Sequence, residues 1–106
     1  MKGDRLGEFE ELLLLSIQAL GQDTYGVPVQ QYLERAANRP VAMGAVYAAL
    51  DRLETKGLVR STMGEATPER GGKRKRLFSV TSAGRQAVND AKRVRDRIWR
   101  AIEERR

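Results

Sequence analysis

The sequence predicts a mainly α-helical fold that carries one small β-hairpin and ends in a long helix. Three observations favour this class. Three amphipathic segments, separated by glycine- and proline-containing turns, fill the first half of the 106 residues. Two short runs with strand character, "LVRSTM" and "RLFSV", follow and flank a glycine-rich loop. A final apolar stripe at helical spacing then continues to the C-terminus. A chain of this length provides one domain with a limited core.

The first predicted helix is "GEFEELLLLSIQAL", residues 7–20. Leu14 and Leu15 widen its apolar face beyond what a surface helix needs, so we expect burial on two sides. Gly21 is expected to end this helix, and Gly26 is expected to be a second turn residue. The apolar residues that share one face at helical spacing are Phe9, Leu12, Leu13, Ile17 and Leu20.

The second predicted helix is "VPVQQYLERAA", with Pro28 in its first turn. Pro40 disfavours helix at Arg39 and therefore forces a turn. A third helix is predicted over residues 43–56, with Gly57 at its C-terminal end. The expected buried stripe of the second helix is Val29, Tyr32, Leu33, Ala36 and Ala37. The expected buried stripe of the third helix is Val46, Ala49, Leu50 and Leu53.

The two strand-like runs predict an antiparallel hairpin with a long glycine-rich tip. Because a two-stranded hairpin is only marginally stable alone, it must lie against the helices. Thr81 is expected to cap the last helix. The complete order is that of a winged helix-turn-helix, with residues 1–80 as the winged-helix part and residues 81–106 as a dimerisation helix packed on it. The narrow stripe of the last helix consists of Ala87, Ala91, Val94, Ile98 and Ile102.

This stripe is too long for a chain of this size to cover, which predicts self-association into a homodimer. Trp99, the one tryptophan, borders the stripe. It is expected to stack on the partner subunit or on a small planar ligand held between subunits, and Arg95 could form a cation–π pair with its ring. The residues predicted to form the dimer interface are Leu14, Leu15, Ala91, Val94, Ile98, Trp99 and Ile102.

Composition excludes several kinds of chemistry. The chain has no cysteine and no histidine, so disulfides, Cys/His zinc sites, thiol nucleophiles and a histidine base are absent. No catalytic triad, metal cluster or phosphate-binding glycine motif is present; we expect neither an enzyme nor a cofactor. The N-terminus is acidic where a signal peptide needs basic residues, and "LLLLSIQAL" is too short to span a bilayer. A cytoplasmic protein is expected.

Charge is distributed unevenly along the chain. The net charge is +6, made up of −2 over residues 1–50 and +8 over residues 51–106. A basic half of this kind favours a polyanionic partner. "GKRKR" places four cations beside the hairpin, where they can contact the DNA backbone and set affinity and register.

The third helix, residues 43–56, is the predicted recognition helix in the DNA major groove, with the wing at residues 64–76 beside it. Its small outer residues would let the helix backbone approach DNA closely. Asp51 and Glu54 oppose this, unless only the first turns enter the groove and Arg52 and Lys56 partly neutralise them. The predicted DNA-binding residues are Met43, Gly44, Ala45, Tyr47, Ala48, Arg52, Gly72, Lys73, Arg74 and Lys75.

"VYAALDRLETKGLV" followed by "ERGGKRKRLFSVTSAGRQAV" resembles the PadR-like transcriptional regulators. The resemblance covers nearly the whole chain, since "LLLLSIQALGQDTYGVPVQQYLE" is also similar to the opening helices of that family. One departure is Ala48, where many members have proline. The matching residues are Val46, Tyr47, Ala49, Leu50, Arg52, Leu53, Glu54, Gly57, Leu58, Val59, Gly71, Gly72, Lys75, Thr81 and Gly84.

The resemblance implies a homodimeric DNA-binding transcription factor, usually a repressor, that dimerises through its last helix. It also permits a planar compound near the dimer interface. Two other hypotheses stay open at this point: a nonspecific basic nucleic-acid-binding domain, and a protein-interaction module that never touches nucleic acid. A repressor should prefer one pseudo-palindromic duplex strongly over random DNA.

Overall fold

The computed structural model describes residues 6–65 and 74–105. The helices in chain order are α1 (Glu8–Ala19), α2 (Gly26–Ala37), α3 (Met43–Thr55) and α4 (Ser82–Glu104). Between α3 and α4 lie the strands β1 (Val59–Met63) and β2 (Arg76–Val80), which pair antiparallel. The predicted winged helix-turn-helix with a long C-terminal helix is confirmed.

Both predicted glycine helix ends are confirmed. Gly21 and Gly57 follow α1 and α3 with φ of 93° and 78°, the left-handed region that a side chain disfavours. At Gly57 the N–H donates to the carbonyl of Glu54 at 3.0 Å, and the next N–H, that of Leu58, donates to Leu53 at 2.9 Å. These two bonds satisfy carbonyls that the helix end would otherwise leave unpaired. The chain therefore turns sharply from α3 into β1.

Three local expectations are wrong. Gly26 is the first residue of α2 rather than a turn residue, and it is buried. Leu15 is 44% exposed and Ala36 is also exposed, so neither belongs to the core. Although α1 contacts α2, α3, β2 and α4, these elements leave Leu15 exposed. The widened apolar face therefore exceeds what one protomer can bury.

The core lies where α1, α2 and α3 meet the hairpin. The four predicted inward residues of α3 are all buried. Phe78 of β2 is fully buried as well and is among the largest side chains of the core. Thr24, in the turn before α2, forms a bridge to Phe78 through two backbone hydrogen bonds of 3.1 and 2.7 Å. The hairpin is thereby attached to the helices along its inner edge, as its marginal stability requires.

The start of α4 is fastened to the end of α3. The Thr81 hydroxyl accepts the N–H of Gly84 at 3.1 Å, which confirms the predicted cap, and donates to the carbonyl of Gly57 at 2.7 Å. The Thr81 N–H also donates to the carbonyl of Leu58 at 3.0 Å. These bonds join the first turn of α4 to the turn that follows α3.

Only the first turns of α4 are covered. Gly84 and Val88 are its buried residues, although the helix has 23 residues and spans about 34 Å. The described residues extend over 59 × 30 × 22 Å. A search of these residues finds no helix that is both long and apolar enough to cross a membrane.

Candidate nucleic-acid interface

The outer side of α3 is built from small exposed residues. Gly44, Ala45 and Ala48 are exposed, and Met43 beside them is half-buried. They lie opposite the buried stripe of the same helix, because that stripe recurs at helical spacing. We call Gly44, Ala45 and Ala48 the recognition face. No side chain there extends beyond a methyl group, so another helix or a nucleic-acid groove could approach the backbone closely.

Tyr47 occupies the border between the recognition face and the core. Its side chain is 39% exposed. Its ring lies 6.5 Å from that of Phe78, at an angle of 55° between the two planes. The hydroxyl end of Tyr47 lies against Gly26, where a Cβ would come within 2.6 Å of Tyr47 Cζ. Tyr47 is thus positioned by the absence of a side chain on the first residue of α2, a contact that local sequence patterns could not reveal.

Arg52 does not neutralise its helical neighbours as expected. Its Nε donates to Glu10 of α1 at 3.2 Å, and Lys56 Nζ donates to the other oxygen of Glu10 at 2.8 Å. Glu10 is only 5% exposed and also accepts the N–H of Gly7 at 3.0 Å. Arg52 and Lys56 were expected to neutralise Asp51 and Glu54 in part, but among residues 6–65 and 74–105 the cation in contact with these two carboxylates is Arg76. Both cations face α1, whereas the two α3 carboxylates face the hairpin.

Burial alone would raise the pKa of Glu10, because it disfavours the charged form. The hydrogen bonds from the Gly7 backbone, Lys56 and Arg52 outweigh this effect and lower the pKa below its ordinary value. Glu10 is therefore ionised at neutral pH. Arg52 keeps a side chain that is 55% exposed, so it borders the outer surface of α3 while it is held by α1.

The acidic half of α3 is paired with the wing. Arg76, the first residue of β2, donates from Nη1 to Asp51 at 3.2 Å and from Nη2 to Glu54. Ser61 of β1 also donates to Glu54, at 2.8 Å. The Ser61 hydrogen bond is the main cause that lowers the pKa of Glu54, with Arg76 contributing and burial opposing. One cation of "GKRKR" thus joins the hairpin to the predicted recognition helix.

Two further wing cations are described. Arg74 is exposed and donates to the carbonyls of Gly64 and Met63 at 2.8 and 3.1 Å. These bonds connect the residue pair before β2 to the end of β1. Lys75 places its ammonium 3.8 Å from the centre of the Tyr25 ring. Gly72 and Lys73, also predicted to bind DNA, lie outside the described residues.

The second half of α4 exposes a large apolar surface. Ile98 and Trp99 are 57% and 58% exposed, and Val94 and Ile102 are close to half exposed. We call these four residues the tail face. Ala91 lies one turn earlier and is half-buried, and Leu15 of α1 is exposed. Leu14, by contrast, is fully buried in the core of its own protomer. It offers no surface to a second chain, so its assignment to the interface is wrong.

Arg95 is engaged by α1 rather than by Trp99. Its two terminal nitrogens donate to the two oxygens of Glu11, one of them at 2.6 Å. This pairing raises the pKa of Arg95. In the part of the chain that the structure describes, Arg95 does not form the predicted cation–π pair with the Trp99 ring. Beside the ion pair lies a groove of about 330 Å³, bordered by Leu15 on α1 and by Lys92 and Trp99 on α4.

Sequence reasoning missed the carboxylates that hold the surface together. Glu10 lies 42 residues before Arg52, and Glu11 lies 84 residues before Arg95. Such distances exceed any helical or strand period, so no local pattern connects the partners. One signal was available: Glu10 and Glu11 lie between the apolar residues Phe9 and Leu12, and a buried charge requires a partner.

A family model described as the transcriptional regulator PadR-like family matches residues 13–90. A comparison with curated protein sequences finds no match. Among solved structures, a PadR-like transcriptional regulator from Bacillus cereus is 18% identical with a TM-score of 0.72, covering 91% of this chain and 88% of that one. A PadR family transcriptional regulator from Eggerthella lenta is 18% identical with a TM-score of 0.69, covering 92% and 84%. A transcriptional regulator from Clostridium thermocellum is 20% identical with a TM-score of 0.69, covering 91% and 88%. At these identities the structures support the fold.

Proposed function

The chain belongs to the PadR-like family of transcriptional regulators, and from this premise we propose that it is a homodimeric repressor that binds an operator duplex. Membership in this family makes it a DNA-binding transcriptional regulator rather than an enzyme. The proposal adds the homodimer, the repressive outcome, the DNA contacts and an action in the cytoplasm. Residues 1–80 are the DNA-binding part in this proposal, and residues 81–106 are the dimerising part.

The observation that carries the proposal is the joining of two elements by Arg76. Through its bonds to Asp51 and Glu54, the Arg76 side chain connects the start of β2 to the C-terminal half of α3. This connection supports the proposal that the recognition face and the cationic hairpin border one continuous surface. A major groove about 12 Å wide admits an α-helix, and the small side chains of the recognition face permit a close fit.

The DNA contacts divide into two kinds. The first turns of α3, from Met43 to Ala48, would enter the major groove, and Tyr47 and Arg52 at its edges would reach phosphates. The wing, with Gly72, Lys73, Arg74 and Lys75, would contact the flanking backbone or minor groove. The contacts that the wing makes with the DNA backbone contribute affinity and register rather than base selection.

The homodimer is supported by the tail face. Its four large apolar side chains are each about half exposed on one helix and form an apolar patch. Covering this patch removes apolar surface from water and is therefore favourable. A second copy can cover it, because a two-fold axis places the same surface opposite itself. Leu15, beside the groove at Trp99, extends this patch onto α1. In this proposal the interface consists of Leu15, Ala91, Val94, Ile98, Trp99 and Ile102.

Trp99 is an anchor of the interface in this proposal. The groove beside it has room for a small planar ligand, and such a compound between the subunits is the alternative role. Because Trp99 is the only tryptophan, its fluorescence reports on this site alone. If the emission of Trp99 shifts when the protein is diluted until it dissociates into monomers, the role of Trp99 as an interface anchor is supported. Saturable quenching by a flat aromatic compound at constant dimer content supports the ligand.

Selection of random duplexes on the purified full-length chain tests the proposed function. We expect recovered sequences to contain two inverted half-sites, separated by about 34–36 Å or a multiple of it, because paired recognition helices require paired half-sites. Recovery of unrelated sequences, bound with a steep dependence on salt, would indicate a nonspecific binder. Absence of salt-sensitive duplex binding would indicate a protein-interaction module.

A further inference from the structure

We propose that Arg76 is a positioning residue for DNA binding and not a phosphate contact: it fixes the wing to the recognition helix and neutralises the carboxylates on that helix. This inference rests on the proposed DNA-binding function. It separates Arg76 from Arg74 and Lys75, its neighbours in the same cationic run, by what each guanidinium or ammonium group contacts.

Every nitrogen of the Arg76 guanidinium has a protein acceptor. Nη1 donates to Asp51 at 3.2 Å, Nη2 donates to Glu54, and Nε donates to the Ser61 hydroxyl at 3.2 Å. The guanidinium carbon lies 4.9 Å from the centre of the fully buried Phe78 ring. These bonds use three of the five N–H donors of the guanidinium, and two of the three acceptors are carboxylates, whose negative charge opposes the approach of a phosphate to the same group.

The partners of Arg76 need a cation. Asp51 and Glu54 are both on the C-terminal half of α3, and the Asp51 side chain is largely exposed. A carboxylate there would repel the phosphates that flank the groove. Arg52 and Lys56, the other cations of this half, are bound to Glu10. Among residues 6–65 and 74–105, Arg76 is the cation in salt-bridge contact with Asp51 and Glu54.

The same contacts determine where the wing lies. Arg76 is paired with Met63 in the hairpin register, at the end of β1 and the start of β2. This is the residue pair of the hairpin that lies nearest to the connection between the two strands, which includes Lys73. Ser61, which bridges Arg76 and Glu54, brings the neighbouring strand into the same network. These bonds hold the described strands of the wing in a fixed position relative to the recognition face.

A double-mutant cycle tests the proposal. Arg76→Gln is introduced into the wild-type chain and into an Asp51→Asn/Glu54→Gln chain, and binding to a duplex selected by the wild type is measured at several salt concentrations. Arg74→Gln, an exposed arginine two residues away, is the matched control in both backgrounds. Thermal unfolding of each variant establishes the temperature at which all of them are folded.

We expect Arg76→Gln to weaken binding about tenfold in the wild-type chain, because two carboxylates then face the phosphates. In the Asp51→Asn/Glu54→Gln background the same change should cost about threefold or less and leave the salt slope unaltered. Arg74→Gln should instead weaken binding equally in both backgrounds and lower the slope by about 0.9 for each phosphate that is no longer neutralised. Arg76→Lys should bind between wild type and Arg76→Gln, since one ammonium replaces only part of the fork.

Two results overturn the proposal. The first is an equal loss for Arg76→Gln in both backgrounds with a lower salt slope, which identifies Arg76 as a phosphate contact. The second is unchanged binding by folded Arg76→Gln, which leaves Arg76 with a role in stability alone. A wild-type chain without salt-sensitive duplex binding would instead refute the proposed function, and this inference with it.

Discussion

Glu10→Gln tests how the recognition helix is held against α1. The substitution keeps the size of the side chain and an oxygen that can accept the Gly7 N–H, but it removes the charge. Glu10 is nearly buried and accepts from Lys56 at 2.8 Å, where the Lys56 side chain is only 17% exposed. The change therefore isolates the charged part of the interaction between α1 and the end of α3.

The magnitude follows from the exposure of the two cations. Breaking a buried ion pair by removing one partner costs about 3–5 kcal/mol. Arg52 is more than half exposed, so its share is at most about 1 kcal/mol. Since glutamine retains packing and one backbone hydrogen bond, we expect a loss of about 2–3 kcal/mol in the free energy of unfolding at pH 7. Glu11→Gln should cost less, because its partner Arg95 is largely exposed.

Urea unfolding at a fixed protein concentration measures this loss, since the stability of a dimer depends on concentration. The pH dependence gives a second readout. Because the pKa of Glu10 is lowered in the folded state, its contribution is fully present above the ordinary glutamate pKa of about 4.3 and is lost as pH falls through the folded value. The difference in the free energy of unfolding between the wild type and Glu10→Gln should therefore disappear once the pH falls below the pKa of Glu10 in the folded state. A difference under about 0.5 kcal/mol at pH 7 that does not change with pH would refute the reasoning.

Three other outcomes are expected. Gly84→Ala should destabilise by about 1–3 kcal/mol, because its Cβ would lie 2.7 Å from a Val80 methyl group and closer still to backbone; Gly44→Ala, in open space, should be neutral or stabilising in the same unfolding assay. Ile98→Asp should yield monomers in analytical ultracentrifugation while the helical content is retained, and a dimer that persists would remove the tail face from the interface. Replacing Arg74 and Lys75 by alanine should weaken binding to nearly all duplexes and lower the salt slope by about one for each phosphate left without its cation; equal binding would remove both residues from the DNA interface.

The order of elements could be predicted because local chemistry encodes it. The apolar stripe of α3 recurs at helical spacing, Gly57 adopts a positive φ at the predicted helix end, and Thr81 caps α4. Each of these signals lies within a few residues of its effect. The ends of α1, α2 and α3 were therefore predicted to within one residue, and the buried stripe of α3 was predicted in full, whereas only Val29 and Leu33 of the stripe predicted for α2 are buried.

The electrostatic arrangement could not be predicted, because its partners are distant in sequence. Helical spacing suggested that Arg52 partly neutralises Asp51 and Glu54. In the fold, Arg52 forms an ion pair with Glu10 instead, and Asp51 and Glu54 form ion pairs with Arg76. Exposure of Leu15 was missed for the same reason, since periodicity identifies an apolar face but not which element covers it. The surfaces of the candidate site follow from the sequence, whereas the contacts that position them follow from the fold.

The central claim is that the recognition face enters the major groove of DNA twice, once from each subunit. The chain lacks cysteine, so Ala48→Cys provides one attachment point per subunit for an iron chelate that cleaves nearby DNA. On a selected duplex, we expect two clusters of cleavage centred about 34–36 Å apart. The same chelate at Ala101, exposed near the end of α4, should leave the duplex intact. A single cluster, or equal cleavage from both positions, would contradict the claim.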